Sequence, residues 1–257
     1  MIALFATGLA IAAGYFAATW AISVRIRNYG LLDVAFSYGV AILAPLYAYV
    51  GPGIGPRKWL FAAIGIAWSL RLGTYILVRV IRHHPMEDPR YGSLRRRWPG
   101  PLAFLAFFEL QAVMVAVFSL PFLLASFNPS PAIASIEVAG LMLAAIGVLG
   151  ETIADLQMQA FKRDAQHRAA VCEVGLWRYS RHPNYFFESL VWWGFFVAAL
   201  GSPYGWITIA CPLLMLFFLL RVTGIPLTEE YALRSKGDSY REYQRTTSRF
   251  VPWFHKA

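Results

Sequence analysis

Cysteine is almost missing from this chain: Cys172 and Cys211 are the only two in 257 residues. One falls in a polar connection and the other in an apolar stretch, so no disulfide framework and no CxxC redox or zinc motif is available. Charge is sparse as well, at 14% of residues, and no connection is long enough to fold as a separate soluble domain. Neither a GxGxxG fingerprint nor a Walker loop occurs, which excludes the two commonest phosphate-cradling designs. His83 and His84 adjoin a loop proline, and His167, His182 and His255 are scattered. That distribution predicts no metal centre.

What the chain has in abundance is apolar sequence, 58% of its residues. Seven stretches are long enough to cross a hydrocarbon core, at about 2–24, 31–50, 58–80, 101–126, 133–158, 185–201 and 204–222. Of the 23 basic residues, all but Arg57, Lys58 and Arg71 lie at the very end of, or after, the first, third, fifth or seventh stretch. The positive-inside rule makes those connections cytoplasmic. The expected fold is therefore an all-α integral membrane protein of seven transmembrane helices, N-terminus outside and C-terminus cytoplasmic, forming one domain over 1–257. The net charge of +9 is absorbed by this topology and by contact with anionic lipids. It does not call for a nucleic acid.

Ionisable groups within spans are costly and point to function. Helical spacing places Tyr29, Asp33 and Ser37 on one face of the second span, and Trp68, Arg71, Tyr75, Arg79 and Arg82 on one face of the third. Glu151, Asp155, Gln159 and Lys162 line up on the fifth, and Asn184, Glu188 and Trp192 on the sixth. Such stripes can be interhelical glue, with Asp33 or Asp155 pairing Arg71. Four stripes at cytoplasmic or middle depth favour a shared polar pocket open to the cytoplasm.

The stretch ADLQMQAFKRD at 154–164, then VGLWRYSRHPNYFFE at 174–188, leads to Arg221, Glu229, Glu230, Tyr231 and a tail with YREYQR and FVPWF. This arrangement resembles the steroid 5α-reductase C-terminal domain and its bacterial, DUF1295-like branch. The resemblance is strongest over 150–257, and it implies a bacterial inner membrane as the location. It is weaker through spans two to four, where Glu87-Asp-Pro-Arg-Tyr and Leu110-Gln111 are similar to the bacterial branch.

The resemblance implies NADPH as cofactor and hydride transfer to C5 of a 4-ene-3-oxo steroid or similar enone lipid. An intramembrane acid polarises the 3-ketone. Asp33 matches the second-span acid, although Leu32 departs from the family pattern. The third-span tyrosine position holds Trp68, whose indole is no practical proton donor, so Tyr29 and Tyr75 stand behind Asp33. The cofactor residues implied are Arg71, Arg82, Arg97, Glu151, Asp155, Lys162, Arg178, Tyr179 and Arg181, with His182, Asn184, Glu188, Trp192, Arg221 and Tyr231. Guanidinium and ammonium groups suit its phosphates, Asn184 and Glu188 its carboxamide, and Trp192 the ring. Glu109 and Gln111 are expected to face substrate.

Two other readings stand beside this one. An S-adenosylmethionine-dependent membrane methyltransferase of isoprenylcysteine or phospholipid type shares a string like Arg181-His-Pro-Asn-Tyr and a late Glu229-Glu230. A transporter or lipid-binding scaffold would use the intramembrane charges as a proton relay, but no inverted repeat supports it.

Overall fold

Long apolar runs leave the backbone only itself as a hydrogen-bonding partner in lipid, which favours helices. The structure is a computed structural model that describes residues 1–88, 91–92, 94, 100–164 and 170–254. Among the described residues there are helices and no strand. They are α1 (Ile2–Ile26), α2 (Leu31–Val50), α3 (Arg57–His83), α4 (Pro101–Phe118), α5 (Leu120–Ser126), α6 (Ser135–Arg163) and α7 (Pro183–Ala199). A 3₁₀ turn (Gly205–Ile209) leads into α8 (Ala210–Phe217), which ends in a π turn (Phe218–Val222). Two further helices follow, α9 (Ile225–Lys236) and α10 (Asp238–Thr246).

Six stretches among the described residues are long and apolar enough to cross a membrane: α1, α2, α3, α4, α6 and the run Gly205–Lys236. The apolar part of that last run ends at Val222, because α9 carries Glu229, Glu230, Arg234 and Lys236. At 17 residues α7 is at the lower limit for a crossing. The expected span at 101–126 is two helices that meet at Ser119. Pro121 there removes an amide donor and disfavours helix at the residue before it. The expected span ending at 158 continues to Arg163.

The chain divides into two compact units. The first comprises Met1–Ser135 and Ala199–Thr208, with α2 in its core. There α2 and α3 run antiparallel: Ser69 donates to the Ser37 carbonyl, the Tyr38 and Thr74 hydroxyls meet at 2.9 Å, and Gly30 meets Val80. The second comprises Ile136–Ala198 and Ile209–Ala257. Its seam is built from glycine. A Cβ on Gly140 would lie 2.1 Å from the Ala198 nitrogen, and one on Gly194 would lie 2.3 Å from the Ala144 nitrogen. Gly147 likewise meets the Val191 nitrogen, and Gly150 makes room for the Phe187 ring. Small residues at three- and four-residue spacing thus let α6 and α7 approach backbone to backbone.

Candidate functional site

In the first unit, Asp33 stands in the first turn of α2, an end that favours negative charge. The connection after α3 folds back onto that end. Glu87 Oε1 accepts from the Tyr29 amide at 2.7 Å, and the buried Tyr91 hydroxyl donates to Asp33 Oδ1 at 2.8 Å. The Tyr29 ring is buried and stacks on Phe104, with centroids 4.1 Å apart and planes 7° from parallel. Trp68 is fully buried on α3. By the α2–α3 register it lies about eight residues, or about 12 Å, deeper than Asp33. Tyr75 and Arg71 are half-buried on the same helix, and Arg82 is exposed near its end. Glu109 and Gln111 are both half-buried on α4, but two residues apart on a helix they do not share a face.

In the second unit, the glycine seam carries its register down to the polar residues. Asp155 meets Asn184 through a long 3.5 Å bond from Nδ2 to Oδ1, and the same register sets Glu151 opposite Glu188. All three carboxylates are buried. Glu188 Oε1 accepts from the Trp192 indole at 2.9 Å, one turn further along α7. The Asn184 Oδ1 atom is buried and has no hydrogen-bond partner among the described residues. Lys162, Arg178, Tyr179, Arg221 and Tyr231 are exposed. Arg97 lies outside the described residues.

Arg181 and His182 have a use that sequence reading did not anticipate. Arg181 Nε donates to Glu229 Oε1 at 2.7 Å, and its NH1 donates to the carbonyls of Gln244 and Thr247 at 2.9 and 2.6 Å. Glu229 also meets His182 Nε2 at 3.3 Å and accepts from Gln244 Nε2 at 3.2 Å. Tyr243 donates to the carbonyls of Trp177 and Ser180. This latch holds α9, α10 and the tail against the loop ahead of α7. Burial works to raise the Glu229 carboxyl, but the bonds and charges of His182 and Arg181 prevail and hold it at about 2. For His182, burial is the strongest influence and lowers its pKa, against the pull of Glu229.

The residues missed in the sequence are therefore Tyr91, Glu87, Gln244 and Tyr243, along with the role of Glu229. Glu87 and Tyr91 bracket a motif already singled out, but no spacing rule connects them to Asp33. Among the described residues no cluster of three or more His, Cys, Asp or Glu could hold a metal ion.

Residues 19–247 match the family model described as a protein of unknown function, DUF1295. The chain belongs to the DUF1295 family. No curated protein and no solved structure matches it. In this DUF1295 protein the matched stretch takes in the Asp33–Tyr91 pair, the cluster from Glu151 to Trp192, and the Arg181–Glu229 latch.

Proposed function

We propose that this protein is an NADPH-dependent membrane reductase that transfers hydride to C5, the β carbon, of a 4-ene-3-oxo steroid or similar enone lipid. The reading includes seven spans, counting α7, with the N-terminus outside and the basic connections in the cytoplasm. It makes the steroid 5α-reductases the relatives in chemistry.

The observation that carries it is the Asn184–Asp155 pair, with the Asn184 carbonyl oxygen buried and without a hydrogen-bond partner among the described residues. A buried acceptor without a partner costs free energy, and a nicotinamide carboxamide would supply the missing donor. Glu188, Glu151 and the Trp192 indole sit at the adjoining level of the same helix pair. Lys162 and Arg178, exposed outside the apolar part of the helices, suit the phosphates. The donor set fits the cofactor. When bound, NADPH supplies the hydride.

The chain's own part in the chemistry falls to Asp33 and Tyr91. With a proton on the Asp33 carboxyl, the Tyr91 hydroxyl, which at rest donates to Asp33 Oδ1 at 2.8 Å, can donate instead to a ketone oxygen placed against the phenol. A hydrogen bond there draws electron density from the C4–C5 double bond toward oxygen and stabilises the developing enolate. The α carbon C4 then takes one proton from water as the ketone re-forms and the phenol keeps its own, so that one hydride and one proton are added in all. Tyr91 thus fills the role for which Trp68 is unsuited. The methyltransferase reading keeps one point in its favour, the Arg181 and His182 contacts to Glu229, but it leaves Asp33 and Tyr91 without a task.

The test uses purified protein in lipid bilayers. NADPH absorbance should fall only when an enone steroid is present. Methyl transfer from labelled S-adenosylmethionine, with no enone-dependent loss of NADPH, would sink the reading.

A further inference from the structure

The tail beyond α10 is not a loose end. Ser248 accepts from the Arg181 amide at 2.8 Å, Phe250 accepts from the Ser180 hydroxyl at 2.8 Å, and the Trp253 amide donates to Tyr179 at 2.9 Å. The Phe250 ring also meets Phe186, in the first turn of α7, edge to face at 5.8 Å. These ties pin an extended segment beside the loop where the chain enters a membrane helix. Yet Trp253 is 66% exposed and Phe254 77% exposed. Ordering large apolar side chains and leaving them in water is costly. Fixed at headgroup level, the same side chains have a natural surrounding, because aromatic residues concentrate at the membrane–water boundary.

Between this aromatic pair and the end of α10 lies a cleft of about 360 Å³, lined by Arg245, Thr247, Ser248 and Arg249 opposite Trp253 and Phe254. Arg245 is held by Glu242 at 2.7 Å. Arg249 is 53% exposed and approaches Glu229 only at 4.0 Å, where that carboxylate is already engaged by Arg181, His182 and Gln244. Thr247 is 4% exposed, and its hydroxyl has no hydrogen-bond partner among the described residues. A guanidinium fork and a hydroxyl without a partner among the described residues are groups that suit a phosphate, and an indole and a phenyl ring line the same cleft.

We infer that this cleft binds the phosphate of an anionic phospholipid from the adjoining leaflet, with the first carbons of its acyl chains along Trp253 and Phe254. Charge complementarity selects the anionic headgroup, and the aromatic wall selects a lipid over a bare ion. The inference uses the membrane orientation proposed above. It does not need the reductase chemistry.

The experiment is native mass spectrometry of the full chain released from nanodiscs of equal phosphatidylglycerol and phosphatidylcholine. Retention of one phosphatidylglycerol is expected, reduced at least tenfold in Arg249→Ala and several-fold in Thr247→Val, with thermal unfolding showing that both variants remain folded. Should Arg249→Ala fail to fold, Arg249→Lys takes its place, with retention reduced several-fold because the fork is lost. Unchanged phosphatidylglycerol retention in the folded variants would overturn the inference. So would displacement of the lipid by millimolar inorganic phosphate, which would mark a free-anion site. A tenfold loss of NADPH affinity in Arg249→Ala with lipid retention intact would assign the cleft to the nucleotide and overturn it equally.

Discussion

Arg181 and Glu229 meet at 2.7 Å across 47 intervening residues, and both side chains are largely buried. Removing one partner of such a pair strands the other charge away from water, which costs about 3–5 kcal/mol. Glu229→Ala should therefore release the tail before the apolar helices melt. Limited proteolysis would show early cleavage between Gly237 and Phe254, with protection of the fragments containing α6 and α7 unchanged.

The same carboxylate predicts a direction with pH. The folded value of Glu229, about 2, lies below its ordinary 4.5. Its stabilising contribution is complete above 4.5 and is lost as pH falls toward 2. His182 is held below its ordinary 6.5, so the unfolded chain takes up that proton first, and stability also declines as pH drops below 6.5. Tail protection measured against pH should fall monotonically on acidification. Glu229→Gln should lower protection above 4.5, flatten the part of the curve between 4.5 and 2, and meet the native curve at its acid end.

Tyr91→Phe removes one oxygen and keeps the ring. If the Tyr91 hydroxyl donates to the ketone, turnover of an enone steroid should fall about 100-fold or more, with NADPH affinity unchanged. Asp33→Asn should behave alike, and the double variant should be little worse than either single one, as expected of residues that act as a unit. Full additivity of the two losses would separate their roles.

Asn184→Leu should weaken NADPH binding by about tenfold, the worth of one good hydrogen bond. Lys162→Ala and Arg178→Ala should raise the NADPH dissociation constant with turnover at saturation little changed. Equilibrium fluorescence titration would read these effects. An unaltered affinity in Asn184→Leu would remove the reading of the Asp155–Asn184 pair as a cofactor clamp.

Gly194→Ala tests the seam itself. The added methyl would stand 2.3 Å from the Ala144 nitrogen, and backbone cannot yield as a flexible side chain would. A loss of about 3 kcal/mol is expected, read as a fall in unfolding midpoint.

Much of the helical layout is legible in the sequence because it depends on local content. α2 spans 31–50 as its apolar run predicts, and Glu188–Trp192 is an i,i+4 contact within one helix. The break at Ser119 carries a readable cue in Pro121, and the 3₁₀ and π turns around α8 do not. The carboxylates and amide of the second unit can be placed on helical faces from spacing alone. Their register cannot, because it is set by glycines on α6 meeting residues of α7 that lie 37 to 58 positions later. Tyr91 escaped for a related reason. It reaches Asp33 from the connection after α3, and periodicity says nothing about where a connection turns. Arg181 has the right chemistry for phosphate, but a distant carboxylate claims it.

The glycine contact between α6 and α7 has a mechanical consequence. Where glycine meets alanine, at Gly140–Ala198 and Gly194–Ala144, there are no rotamers to exchange and little slack to take up, so the two helices shift there as one stiff beam. Any breathing that lets a bulky guest in or out of this unit falls instead to α9, α10 and the tail, whose hold on the beam through the Glu229 latch can be undone and remade one hydrogen bond at a time.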